Sequence, residues 1–213
     1  MSTRRLHEQQ PSSFAFTLEN KGWAEKEIRK YPSGRQASAV IALLWRGQEQ
    51  EGWVTKPMIE EVARFLGMHY IRVLEVATFY TMFNLAPVGR HLVQVCTTTP
   101  CWLAGSDDVV AVCRKHIAPR PGTISPDSMF SWMEVECLGA CVNAPAMQIG
   151  KDFYEGLDGP KAEAILAAFR RGAQPAPGPQ DGRRSSEPAG GPTTLTDRSI
   201  YAGNSEKPPG AAT

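Results

Sequence analysis

The sequence predicts an α+β chain: a small helical bundle, then an α/β unit, then a Pro/Gly-rich tail. Three observations carry this prediction. Apolar residues recur at helical spacing from about Ala37 to Asn84. After Pro87 and Gly89 the pattern changes to short β-forming runs separated by turns. The last 41 residues hold seven prolines and six glycines, a composition too poor in apolar clusters to build a core of its own. The divisions expected are an N-terminal extension at 1–13, the bundle at 14–86, the α/β unit at 87–172 and the tail at 173–213.

Within the bundle, Val40, Leu43 and Leu44 form one stripe, Ile59, Val62 and Leu66 a second, and Ile71, Leu74, Thr78 and Met82 a third. Three helices follow, separated by Gly52 and Gly67. Thr55 followed by Pro57 marks a helix start, because proline suits the first turn. The cluster Phe79, Tyr80 and Phe83 reads first as internal core. Its alternative is an interface, since a segment apolar on several sides has to be buried against something.

In the second unit, His91 to Val95 reads as a strand that ends at Cys96. Gly105-Ser106-Asp107-Asp108 opens a helix running to about Ile117, with Ser106 as expected N-cap and the aspartates favourably set against the helix dipole. Met129 to Glu136 is a second strand, leading to Cys137. Ala146–Ile149 and Asp152–Glu155 flank Gly150-Lys151 as a two-residue hairpin. Pro160 to Arg171 forms a last helix closed by Gly172. This order suits a small α/β sandwich, of which thioredoxin-like topology is one member. The tail reads as disordered in the free chain, although Thr193-Thr194-Leu195 offers a segment that a partner would order.

Composition narrows the function. With 213 residues, 42% of them apolar, a real core is expected, and 23 basic against 22 acidic residues give no electrostatic reason to propose nucleic acid or an anionic membrane as partner. Glu8, Glu19, Glu25 and Glu27, with no apolar h-region, argue against a secretory signal. The strongest apolar run, Ala39 to Trp45, is far short of the roughly 20 residues of a membrane-spanning helix. Direct membrane insertion is therefore not expected.

Five cysteines without an export signal point to metal or redox chemistry rather than a disulfide framework. The informative pattern is Cys96-x4-Cys101, 35 intervening residues, then Cys137-x3-Cys141, each pair starting at a strand end. On spacing alone, a 2Fe-2S cluster with four thiolates and a structural zinc stand nearly level. Structural zinc usually staples domains too small for their own core, and this unit has ample strands and helices, which moves the balance toward a cluster. An oxidised four-thiolate 2Fe-2S centre is dianionic and gains a further negative charge on reduction, so it needs backbone N–H donors. Thr97, Thr98 and Thr99 in the first loop, and Gly139 and Ala140 in the second, are small enough to supply them. The helix from Gly105 would aim its positive end at the first loop.

Cys113 reads as a buried small hydrophobe, not a ligand, and His7, His69, His91 and His116 show no paired spacing for a Rieske-type site. Pro145 follows the second pair closely, a position that suits a cis bond, but cis occurs in only about 5% of such bonds and trans is the expectation. No GxGxxG, P-loop, GxSxG or HExxH pattern occurs, so no dinucleotide, phosphate or hydrolytic site and no catalytic residue is expected on this chain.

A family resemblance now becomes visible. Tyr31-Pro32, the run Gln48-Glu49-Gln50 with Gly52-Trp53, Glu75 through Phe83, Pro87-Val88-Gly89, and Glu136-Cys137-Leu138-Gly139-Ala140-Cys141 with Ala144-Pro145 together resemble the 24-kilodalton-type subunit of NADH:ubiquinone oxidoreductase, respiratory complex I. The resemblance spans about Phe14 to Gly172. It implies a helical bundle followed by a thioredoxin-like ferredoxin domain, with Cys96, Cys101, Cys137 and Cys141 as ligands of one 2Fe-2S cluster.

The resemblance also implies a subunit that exchanges single electrons with the flavin of a partner, with FMN and NADH bound by that partner and a neighbouring iron-sulfur subunit nearby. It would lie on the cytoplasmic side of the bacterial inner membrane, peripheral through its partners. The tail from Ser186 to Leu195 resembles extensions in alphaproteobacterial and mitochondrial relatives. The equivalent diaphorase subunit of a NAD-linked hydrogenase or formate dehydrogenase is the runner-up, and a zinc-stapled interaction protein the reading from a different class.

Overall fold

The computed structural model describes residues 4–183, 185–188, 190–191, 193–197 and 199. Ile200 and Tyr201, the last apolar pair of the tail, lie outside them. The helices are α1 (Leu18–Ile28), α2 (Val40–Glu51), α3 (Lys56–Leu66), α4 (Tyr70–Phe79), α5 (Thr99–Leu103), α6 (Ser106–His116) and α7 (Gly159–Arg170). The strands are β1 (His91–Cys96), β2 (Phe130–Val135), β3 (Ala146–Ile149), β4 (Asp152–Glu155) and β5 (Gly178–Pro179), in the sheet order β2-β1-β3-β4-β5. This is the expected α+β chain with a thioredoxin-like α/β domain. It divides into two compact units, Met1–Val93 with Cys113–Met133 and Gln94–Val112 with Glu134–Thr213.

In the first unit the local signals act as the sequence predicts. Thr55 Oγ1 accepts the Met58 N–H at 3.2 Å to cap α3, Pro57 occupies its first turn, and Gly52 and Gly67 close α2 and α3 in the left-handed conformation. Leu43, Leu44, Met58, Ile59, Val62, Val73, Ala77 and Phe83 form the core. α1 has only a weak apolar face, Asn20 and Ala24 being its buried residues, so periodicity does not reveal it. Its start is set by Thr17, which caps the Asn20 N–H.

The third stripe needs correction. Val73 and Ala77 are the buried residues of α4, while Ile71 is exposed and Met82 lies beyond the helix, because Tyr80 turns to extended backbone. That turn also separates the aromatic cluster: Phe83 enters the core, while Phe79 is 76% exposed. The turn is pinned from two sides. Gln48 is buried, donating to the Met82 carbonyl at 3.0 Å and accepting the Asn84 N–H at 2.6 Å. The Arg4 guanidinium donates to the carbonyls of Thr78, Tyr80 and Phe83.

In the same unit, Gly89 passes so close to β2 that a Cβ on it would stand 2.2 Å from the Phe130 carbonyl carbon. Trp132 is fully buried and donates its Nε1–H to the Ala118 carbonyl at 2.8 Å.

In the second unit, β3 and β4 pair antiparallel, Ile149 opposite Asp152, with Gly150 at φ 64° in the turn, the hairpin expected from Gly150-Lys151. α7 is capped by Asp158, whose carboxylate accepts the Lys161 N–H at 2.8 Å. Ala162, Ile165, Leu166 and Phe169 are its buried residues, and the Phe169 ring meets Tyr154 of β4 edge-on. Ser106 differs from expectation: it lies inside the first turn of α6 rather than capping it, and its buried hydroxyl finds no partner among the described residues. The tail turns back at once, and β5 pairs parallel with β4 through Tyr154 opposite Gly178 and Glu155 opposite Pro179.

Candidate metal centre

Each of the four cysteines is delivered by a different local device. Cys96 is the last residue of β1, and its side chain points inward with 1% of its surface exposed. Cys101 does not sit on an irregular loop, as the sequence suggests, but on the single turn of α5, started by Pro100. Cys137 follows β2, and Cys141 opens a 3-10 turn, Cys141–Asn143, whose end is the cis peptide Ala144–Pro145 rather than the trans bond expected. Cys96 and Cys101 are buried, Cys137 and Cys141 exposed, so the site is closed on one side and open on the other.

The four cysteines converge on one place. Cys137 Sγ and Cys141 Sγ stand 3.4 Å apart. Cys101 lies close enough to Cys96 and to Cys141 for both to raise its thiol. Two thiolates on one tetrahedral metal with bonds of about 2.3 Å are roughly 3.7 Å apart, close to the Cys137–Cys141 separation. Among the described residues, no three His, Cys, Asp or Glu side chains gather about the point that one metal ion would occupy. Four converging thiols are the donor set that a binuclear centre with two thiolates on each iron takes up.

Backbone donors converge on the same sulfurs. Gly139 N–H reaches Cys137 Sγ at 3.4 Å. Burial alone would raise the Cys96 thiol, but the Thr98 hydroxyl, 3.3 Å from its sulfur, and the N–H groups of Leu138 and Thr98 hold it below its ordinary value. The Cys101 thiol is pushed up to about 11, chiefly by burial and by the neighbouring Cys96 thiol, against the opposing N–H of Ala146. Cys141 is raised by its bond to Cys137 and then by burial. Thiolates with backbone N–H groups aimed at them are the donor set of an anionic iron-sulfur centre.

Thr98 and Gly139 are donors the sequence picks out. Leu138 and Ala146 are not: Leu138 has a large side chain, to which its own N–H is indifferent, and Ala146 lies on β3, outside both cysteine loops. Cys113 is fully buried on α6, its thiol pushed up to about 12 by burial, as suits a packed hydrophobe. Trp102, Leu103 and Val142, each next to a candidate ligand or its neighbour, are exposed.

A closed pair and an open pair of thiols at the edge of an α/β domain fit the class of iron-sulfur electron carriers. The family model of the thioredoxin-like 2Fe-2S ferredoxins matches residues 24–170. A NADH-quinone oxidoreductase subunit from Rhizobium meliloti (strain 1021) is 56% identical over 200 residues, covering 92% of this chain and 73% of the relative. The corresponding NADH-quinone oxidoreductase subunit from Rickettsia bellii (strain RML369-C) is 50% identical over 160 residues, covering 75% and 96%. The crystal structure of an air-oxidised NAD+-reducing NiFe-hydrogenase shares the fold, with a TM-score of 0.54 at 18% identity over 63% of this chain and 23% of that one. The chain therefore belongs to the thioredoxin-like 2Fe-2S ferredoxin family, in the group of 24-kilodalton-type subunits of NADH:ubiquinone oxidoreductase.

Proposed function

We propose that Cys96 and Cys101 bind one iron and Cys137 and Cys141 the other iron of a single 2Fe-2S cluster, and that the chain exchanges single electrons with the flavin of a partner subunit in the NADH-oxidising arm of complex I. The observation that carries this is the convergence of the four cysteines, with Cys137 Sγ 3.4 Å from Cys141 Sγ, Cys101 within electrostatic reach of Cys96 and Cys141, and the Gly139 N–H on Cys137 Sγ. When bound, such a centre stores or passes one electron at a potential tuned by hydrogen bonds and exposure.

The chain's own residues do the rest. The buried pair anchors the centre, while the exposed pair leaves it close to a partner's surface. Trp102, Leu103 and Val142 supply apolar contact area beside it. Flavin and NADH chemistry belongs to the neighbour, in keeping with the missing dinucleotide fingerprint. Among the described residues no helix is long and apolar enough to cross a membrane, and the place proposed for the chain is peripheral, on the cytoplasmic side, held by its partners.

The second reading, a diaphorase subunit of a NAD-linked hydrogenase, draws on the shared fold alone. The test is to combine the cluster-loaded chain with the FMN- and NADH-binding subunit and add NADH. This centre's own EPR signal should appear with the flavin subunit present and not without it. Continued silence in the complex, with a cluster potential at or above that of the NADH couple, would contradict the flavin route.

A further inference from the structure

The loop between Cys137 and Cys141 is held locally by few bonds, one of them Gly139 N–H to Cys137 Sγ at 3.4 Å. Two backbone bonds close its end, Asn143 N–H to Ala140 O at 3.0 Å and Ala144 N–H to Cys141 O at 3.3 Å, and both its cysteines are exposed. Loops with so few internal contacts open readily. What fixes this one comes from the start of the tail.

The tail is held to β4 by the pairing at Gly178 and Pro179, by Gln180 N–H to Glu155 O at 2.9 Å, and by Tyr154 Oη–H to Pro175 O at 3.3 Å. From that footing Arg183 donates Nη1–H to the carbonyl of Val142, the residue after Cys141, at 2.9 Å, and Nη2–H to Glu187 O at 2.6 Å. Asn143, 3% exposed, completes the joint. Its Nδ2 donates to Glu155 Oε2 at 2.6 Å and to Ser185 O at 2.9 Å, and its backbone carbonyl accepts the Gly156 N–H at 2.6 Å. Loop, β4 and tail also wall one cavity of about 240 Å³, with Leu138 and Gly139 on the loop side and Ser185 on the tail side. A guanidinium is a persistent cation that bonds two carbonyls in a fixed fork, so one side chain supplies both a clamp and a positive charge.

We infer that the start of the tail, from Gly178 to Arg183 with Ser185 and Glu187, is a brace for the second cysteine loop, and that Arg183 and Asn143 are positioning residues governing how firmly, and at what potential, the cysteine centre is held. This rests on the cluster reading above. Outer residues that orient metal ligands commonly change metal retention by about tenfold or more when altered. Removing a nearby cation disfavours the more negative, reduced centre, so the potential must fall.

The test uses the full-length, cluster-loaded chain with R183Q and R183K. In R183Q, visible absorbance should decay under an iron chelator about tenfold faster than in wild type, the midpoint potential should move negative, and the amides of Asn143 and Ala144 should exchange faster, with far-UV circular dichroism unchanged. R183K, which keeps the charge without the fork, should restore the potential but not the chelator resistance. Wild-type decay and potential in R183Q would overturn the brace. A wild-type chain that takes up no iron and sulfide would instead overturn the cluster reading, and the exchange of Asn143 and Ala144 in R183Q would still decide whether the brace exists.

Discussion

The backbone N–H of Gly139 points at Cys137 Sγ across 3.4 Å, from a residue held at φ 80°. An L side chain is strained there, while a Cβ at this position would meet nothing within 4 Å, so strain and steric collision are separable at this glycine. G139A should cost about 1–2 kcal/mol of local stability, read as faster amide exchange across residues 137–141, while the melting of the helical unit stays unchanged. An unaltered loop in G139A would mean that the left-handed turn does not organise the site.

Cys113 provides the internal control for ligand assignment. It is fully buried and its thiol is pushed up to about 12, so almost no thiolate is present at neutral pH. In the native chain it should resist iodoacetamide until the protein unfolds. C113A should keep the visible spectrum of the cluster and lose about 1 kcal/mol of stability. Loss of the cluster in a folded C113A chain would refute the exclusion of this residue.

Much of the fold was legible because the decisive signals are local. Thr55, Pro57, Gly52, Gly67 and the Gly150 turn act through their own backbone preferences, and they appear where expected. What depends on tertiary context was not legible. Which face of α4 is buried is decided by where Tyr80 breaks the helix, not by periodicity. The four cysteines were legible as two pairs from spacing, but not the Leu138 and Ala146 donors, which depend on how the two loops meet. Nor was the seating of the tail on β4, since its Pro/Gly composition carries no apolar pattern and its hold is made by backbone and polar bonds.

Trp132 joins packing to a polar obligation. Its ring is fully buried and its Nε1–H satisfies the Ala118 carbonyl at 2.8 Å. W132F keeps most of the apolar volume but leaves that carbonyl without its donor, at a cost of about 1–3 kcal/mol. Chemical denaturation should show the loss as a lower midpoint with an unchanged slope. A midpoint equal to wild type would mean that the carbonyl finds another donor.

Asp158 gives a stability term with a defined pH dependence. The Lys161 backbone N–H, and then the Lys161 ammonium, hold its carboxyl below the ordinary 3.8. A depressed folded-state value stabilises the fold above the unfolded value, and the benefit disappears as pH falls through the folded one. D158A should therefore cost about 1 kcal/mol at neutral pH through loss of the α7 cap, and less as the pH is lowered below 3.8. A gap between wild type and D158A that stays constant down to about pH 3 would mean that the charged carboxylate is not the cap.

The proposal that Cys96, Cys101, Cys137 and Cys141 hold one 2Fe-2S cluster stands or falls on metal content. The most direct measurement is iron, zinc and acid-labile sulfide content of the full-length chain purified anaerobically, together with EPR after one-electron reduction. The purified chain should be red-brown, with about two irons and two sulfides per chain and a reduced-state signal that disappears when any of the four is changed to serine but persists in C113A. A colourless protein carrying stoichiometric zinc, and unable to form a cluster with iron and sulfide, would contradict it.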